Sequence, residues 1–404
     1  MPVNINYFRK ISRWLPVLLM VLIFQNACKK ENISGPVVTG LRAISPAPND
    51  STLTQVTPGQ IVVIKGYNFN GLQGVLFDGY SASVNTALNT NATIVITVPS
   101  GILFSSLSSD VANTIKVITT HGEIVYKFSV VPPPPVISSI SDEFAHGGDT
   151  ITLSGSYLYT IQSVQFPGDH TVTNVLNADT AGASFQVVVP DGITPGDADS
   201  AAVITEGGTG KAPFNNTYGM IADFEWGSPT FGWQYWGGIM GSDASKFPGG
   251  WGNYIEIDPS SEIGANDGAW YANNRAVMIA SSAWEGVNIA DPPANYALKF
   301  QMFVKNPWTA GSLEIAINGN FNNLATYAPW KQTSNGMFMT NGWVTVTIPL
   351  SSFVDGSGKP ASNVSALTGG NPGATVQIML YNNGTTPVVN FDAAFDNVRV
   401  VKTN

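Results

Sequence analysis

The same series of short segments occurs twice between residues 38 and 215, and within each segment apolar and polar residues alternate. The first copy runs through Pro58-Gly59-Gln60-Ile61-Val62-Val63-Ile64-Lys65-Gly66-Tyr67-Asn68-Phe69, then Val75-Leu76-Phe77, 94–99 and 115–120. The second copy has Gly148-Asp149-Thr150-Ile151-Thr152-Leu153-Ser154-Gly155-Ser156-Tyr157-Leu158, then Val164-Gln165-Phe166, 185–190 and 202–205. A two-residue period places successive side chains on opposite faces of a strand, and the Gly and Pro between segments supply turns. Strands of this kind bury their apolar faces by packing sheet on sheet. Two small antiparallel β-sandwiches are therefore expected, at 38–131 and 132–215.

The composition agrees with an all-β chain. Hydrophobic residues make up 44% and charged residues 11%, too apolar for disorder, and 404 residues are too many for one core. The formal charge of −9, with no basic run beyond the extreme N-terminus, argues against nucleic acid and favours a neutral ligand. Pro132-Pro133-Pro134-Pro135 separates the two repeats, and its fixed φ angles predict a stiff, extended connection, so the pair reads as a semi-rigid spacer. The three histidines, 121, 146 and 170, are scattered through the repeats and suggest no metal site.

At the N-terminus, Arg9, Lys10 and Arg13 precede an apolar run at 15–24 that is short for a permanent membrane span and reads as a secretory signal. Gln25-Asn26-Ala27-Cys28 follows. Cys28 is the only cysteine, which precludes an intrachain disulfide. A small residue before a lone cysteine resembles a bacterial lipobox, so residues 1–27 are expected to be cleaved, Cys28 lipidated, and 28–37 left as a tether.

Residues 216–404 read as a larger sandwich. Of ten tryptophans, nine lie beyond residue 220, at 226, 233, 236, 251, 270, 284, 308, 330 and 343. Tryptophan offers a rigid apolar face with a polar rim, which matches the C–H face and hydroxyl edge of a sugar ring. In 298–304, residues 298, 300, 302 and 304 should face one core.

Three motif sets carry resemblances. The repeat core, G-x-x-(I/V)-x-(I/L)-x-G-x-x-(F/L), resembles the IPT/TIG immunoglobulin-like module. Asp223-Phe224-Glu225, the 343–353 segment from Trp343 through Pro349-Leu350 to Phe353, and Phe395-Asp396-Asn397-Val398-Arg399-Val400 resemble β-jelly-roll carbohydrate-binding modules. The order lipobox, immunoglobulin-like repeats, jelly-roll cap resembles the surface glycan-binding proteins of Bacteroidetes polysaccharide utilisation loci. That resemblance implies a monomeric, non-catalytic lipoprotein, anchored in the outer membrane and exposed at the cell surface. It further implies binding of xyloglucan or another β-glucan beside a TonB-dependent transporter and a companion glycan-binding lipoprotein, with no cofactor. The segment from 216 on is expected to bind alone.

Trp308 between Pro307 and Gly311, Trp330 after Pro329, and Trp270 with Tyr271 among Gly and Asn lie in loop-like settings that packing explains poorly. These four, with Tyr327 and Trp284, are the expected glycan platform, whereas Trp343 opens a strand and is expected in the core. Asn273, Asn274, Asn306, Asn318, Asn320, Asn322, Asn323 and Lys331 are candidates for hydroxyl contacts, or ordinary turn residues. Two other classes stay open. An endo-acting glycosidase would draw a carboxylate pair from Glu256, Asp258, Glu262, Glu285 and Glu314, although no motif singles one out. A purely adhesive protein would leave the aromatic cap unexplained. A structural calcium on Asp223, Glu225 and Asp396 is conceivable, the alternative being that these acids bond backbone N–H groups or Arg399.

Overall fold

The computed structural model describes residues 34–228, 238–279 and 283–403. Among them the architecture is all-β, with a single five-residue α-helix at Val364–Thr368. The chain divides into two compact units. Of the described residues, the first holds those from 34 to 102 and from 107 to 131; the second holds 103–106 and those from 132 on.

In the first unit, Thr52–Leu53, Val37–Ala43, Ile61–Tyr67 and Thr93–Thr97 form one four-stranded sheet. Tyr80–Ala82, Leu72–Phe77, Thr114–Thr119 and Gly122–Lys127 form the other. In the second unit, Val136–Ile140, Thr150–Ser156 and Ser184–Val188 face His170–Val172, Ile161–Phe166, Ser200–Thr205 and Gly208–Pro213 in the same order. Buried Ile151, Leu153, Val164, Phe166, Phe185, Val187, Val203 and Phe214 fill this second module.

The glycine shared by both copies has a physical cause. A Cβ at Gly66 would lie 1.8 Å from the Val37 carbonyl oxygen, and one at Gly155 would lie 1.9 Å from that of Val136. Each pair sits beside a register shift, between Val38 and Gly40 in one copy and between Ile137 and Ser139 in the other. No side chain fits where a bulged strand crosses so closely. Gly155→Ala is therefore expected to destabilise its module by about 1–3 kcal/mol, read as a lowered urea midpoint. An unchanged midpoint would contradict the close approach.

The tetraproline is packed rather than free. A Cβ at Gly210 would lie 2.1 Å from the Pro135 carbonyl oxygen, and one at Gly207 would lie 2.4 Å from that of Pro133. The glycines let the proline run lie against the edge of its own module.

Among the described residues the C-terminal domain shows ten strands: β1 (Met220–Ala222), β2 (Ile239–Gly241), β3 (Tyr254–Ile257), β4 (Ala276–Ile279), β5 (Tyr296–Val304), β6 (Ser312–Ile317), β7 (Leu324–Tyr327), β8 (Val344–Pro349), β9 (Val376–Tyr381) and β10 (Ala393–Lys402). One sheet runs β2-β3-β10-β5-β8, with β1 pairing β10, and the other runs β4-β9-β6-β7. Between them lies one core, in which Leu298, Phe300, Met302 and Val304 are all fully buried, as the alternation in 298–304 requires. Each sheet also has an outer face.

Candidate functional site: an aromatic patch on the outer face of one sheet

Alternation along β4, β9 and β6 sends Val277, Ile279, Ile378, Leu380, Leu313 and Ile315 inward and leaves Ala276, Met379 and Ala316 on the outer face. These small or flexible residues form a shallow floor, and Trp270, Leu324 and Tyr381 pack on it half-buried. The loop between β3 and β4 carries Trp270 over the sheet until its ring stacks on Phe321 from the β6–β7 hairpin, with centroids 5.7 Å apart and planes 29° apart. Tyr271 stands edge-on to Trp270 at 5.8 Å. Tyr271 is 56% exposed and Phe321 45% exposed, so the three rings present apolar area to solvent.

The loop is braced from several sides. Asp267 accepts from the Ala269 N–H at 2.9 Å and from the Arg275 guanidinium at 2.8 Å, and these bonds, the backbone one first, hold its carboxyl below the usual range. Buried Asn382 donates to the carbonyls of Gly264 and Thr386 at 2.7 and 3.0 Å, tying this loop to the one after β9. Asn266, Asn273 and Asn274 take positive φ, which asparagine tolerates in turns. Such bracing lowers the ordering cost of binding.

Trp270 and Tyr271 thus come together with Phe321, a residue the sequence reading missed. A lone phenylalanine in Gly319-Asn320-Phe321-Asn322-Asn323, among turn residues, was the available signal. The other expected platform residues lie elsewhere. Trp308 is 1% exposed and belongs to the core, where its indole donates to the Ala310 carbonyl at 2.6 Å and Phe391 meets it edge-on at 5.2 Å. Trp284 is 2% exposed and donates to the Ala374 carbonyl at 3.2 Å. Both are corrected to core residues, because every face of each ring is covered and the N–H is spent on backbone. Trp330 and Tyr327 are half-buried against the same core; Trp330 donates to the Gly311 carbonyl at 2.9 Å with Lys331 Nζ 5.5 Å from its ring. Burial pushes the Tyr327 phenol up to about 12.

Trp343 is buried as expected, in a small cluster with Phe247, Tyr254 and Phe303. Trp226 is 75% exposed, and Trp251 is half-buried. Trp233, Trp236 and Cys28 lie outside the described residues. Several candidate asparagines serve the fold: Asn306 donates to the Asn390 carbonyl, Asn318 to that of Thr368, and Asn320 to the Asn323 side chain.

Three of the five candidate acids, Glu256, Asp258 and Glu314, are engaged by neighbouring side chains, whereas Glu262 and Glu285 are exposed. Glu314, beneath the patch, accepts hydroxyl bonds from Ser312 and Thr326 at 2.7 and 2.6 Å. Glu256, Asp258 and Asp392 have oxygens within 4.8 Å of one another, and Lys246 sits among them, ion-paired to Glu256 and 3.6 Å from each of the other two. Burial, opposed by the Lys246 hydrogen bond, raises the Glu256 carboxyl to about 7. Of the acids considered for calcium, Glu225 accepts from the backbone and side chain of Asn253, and Asp223 from Glu225 N–H and Ser228. Asp396 is fully buried and accepts from both the backbone and side chain of Asn397. Arg399 bonds none of the three; it pairs with Glu143.

Residues 214–402 match the family model described as surface glycan-binding protein B xyloglucan binding domain. The chain is 31% identical over 152 residues to an IPT/TIG domain-containing protein of Bacteroides ovatus, a match covering 37% of this chain and 30% of that protein's length. Its fold is similar to that of a surface glycan-binding protein from Prevotella bryantii, with a TM-score of 0.67, 22% identity and coverage of 92% of this chain and 99% of the other. A surface glycan-binding protein from a complex xyloglucan utilisation locus of Bacteroides uniformis gives a TM-score of 0.51 at 21% identity, over 91% and 99% of the two chains. Residues 214–402 therefore belong to the surface glycan-binding protein B xyloglucan binding domain family, preceded in this chain by two immunoglobulin-like β-sandwiches.

Proposed function

We propose that the chain is a non-catalytic, cell-surface polysaccharide-binding protein that captures a neutral β-glucan, xyloglucan or mixed-linkage glucan, for a polysaccharide utilisation system. The observation that carries this reading is the braced Trp270–Tyr271–Phe321 patch on the outer face of a domain of the xyloglucan-binding family. About 100 Å² covered per ring at roughly 25 cal/mol/Å² gives about 2.5 kcal/mol each. After the association cost, three rings support affinities from about micromolar to millimolar. Binding without catalysis is supported by the engaged carboxylates among the candidates, since Glu314 is held by two hydroxyls and the Glu256 group encloses a lysine. The lipobox-like Ala27-Cys28 supports a lipid anchor in the outer membrane, and a monomer working beside a TonB-dependent transporter fits the same reading.

Native affinity electrophoresis against xyloglucan, mixed-linkage glucan, mannan and xylan tests it. Retardation by xyloglucan or mixed-linkage glucan, with no new reducing ends, is expected. Retardation by none of the four, or release of reducing sugar, would overturn the reading.

A further inference from the structure

Lys299, Gln301, Asn397 and Arg399 stand on the outer face of β5 and β10, in the sheet that does not carry the aromatic patch. Three of them are buried, and Lys299 is largely so. What covers them is the 141–145 segment of the second immunoglobulin-like module. Its Glu143 accepts from Lys299 Nζ at 2.5 Å with one oxygen and from Arg399 Nη2 with the other. Asp142 accepts from Gln301 at 2.6 Å, and Gln301 in turn accepts from Asn397 at 2.6 Å. Backbone bonds close the contact: Thr345 N donates to the Ser141 carbonyl at 2.8 Å, and Glu143 N donates to the Thr345 hydroxyl at 2.8 Å. Phe144 is fully buried with the Arg399 guanidinium 4.6 Å from its ring, and the Trp251 indole donates to its carbonyl. His146 lies against the Trp251 ring, with centroids 3.8 Å apart.

We propose that the second immunoglobulin-like module is a docked component of the glycan-binding domain, held by the insertion of Glu143 between Lys299 and Arg399, and is not an interchangeable spacer. Replacing Glu143 while the module stays docked would leave two largely buried cations without their anion, a severe defect. Docking on one outer face leaves the other, with Trp270, Tyr271 and Phe321, open to the polysaccharide. The roles of the two acids differ. Asp142 is raised to about 7, chiefly by burial, so its charge is costly and its hydrogen bonds matter more, whereas Glu143 is needed as an anion.

The test uses the full chain with a protease site inserted between Thr217 and Tyr218, in the connection between module and domain, followed by cleavage and size-exclusion chromatography. Co-elution of the two pieces at micromolar concentration is expected, with glycan affinity within about twofold of the uncut chain. Glu143→Ala should weaken the association of the cut pieces at least a hundredfold, and Asp142→Asn less than tenfold. Separation of the cut wild-type pieces would overturn the proposal even if Glu143→Ala failed to fold. So would an unchanged association in a folded Glu143→Ala protein.

Discussion

Trp308→Ala is expected to lower the stability of the C-terminal domain by about 3–5 kcal/mol, because the indole fills the core and no neighbour can collapse fully into its place. Phe391, Phe338 and Tyr327 surround it, and loss of its N–H leaves the Ala310 carbonyl unpaired in a dry setting. For a domain of this size each 1 kcal/mol corresponds to roughly 2–4 °C in the melting midpoint, so the shift should be about 6–20 °C. Glycan affinity measured well below that midpoint should stay within about twofold. Calorimetric melts and binding titrations on the same sample decide it. A wild-type midpoint with lost affinity would put Trp308 on the ligand.

Trp270→Ala should do the reverse. The ring is half-buried on a floor of Ala276, Ala316 and Met379, and its truncation removes both its own sugar contact and the support behind Phe321. Losing one stacking surface costs about 1.5–3 kcal/mol, or about ten- to a hundredfold in affinity for the preferred β-glucan. Phe321→Ala is expected to reach about tenfold and to add less than its full effect in the double variant, because the two rings contact each other. Titration calorimetry on the two single variants and the double variant measures this. Full affinity in Trp270→Ala would exclude the patch as the binding surface.

Much of the fold is legible in the sequence because β-sandwich information is local: a two-residue period names the faces, and Gly66 and Gly155 mark equivalent bulged crossings in two equivalent copies. The site is less legible because loop direction is not local. Trp308, flanked by Pro307 and Gly311, has the neighbours of an exposed loop residue. It folds inward because its backbone exchanges hydrogen bonds with Phe338, thirty residues on, at 2.8 and 2.9 Å. Trp270, in a similar local setting, is turned over the sheet by bonds from Arg275 and Asn382. The polar residues of β5 and β10 are equally opaque: nothing near Lys299 or Arg399 in the sequence points to Glu143, more than 150 residues earlier in the chain, as the partner found against them.

The central claim, that polysaccharide lies across the outer face of β4-β9-β6-β7, is tested most directly by hydrogen–deuterium exchange of the full chain with and without a saturating xyloglucan oligosaccharide. Slower exchange is expected in 266–274 and 318–327, the segments that carry Trp270, Tyr271 and Phe321, with none at 141–145 or 297–301 on the docked sheet. Protection confined to the opposite sheet, or to the Trp226 and Trp251 region, would contradict the account.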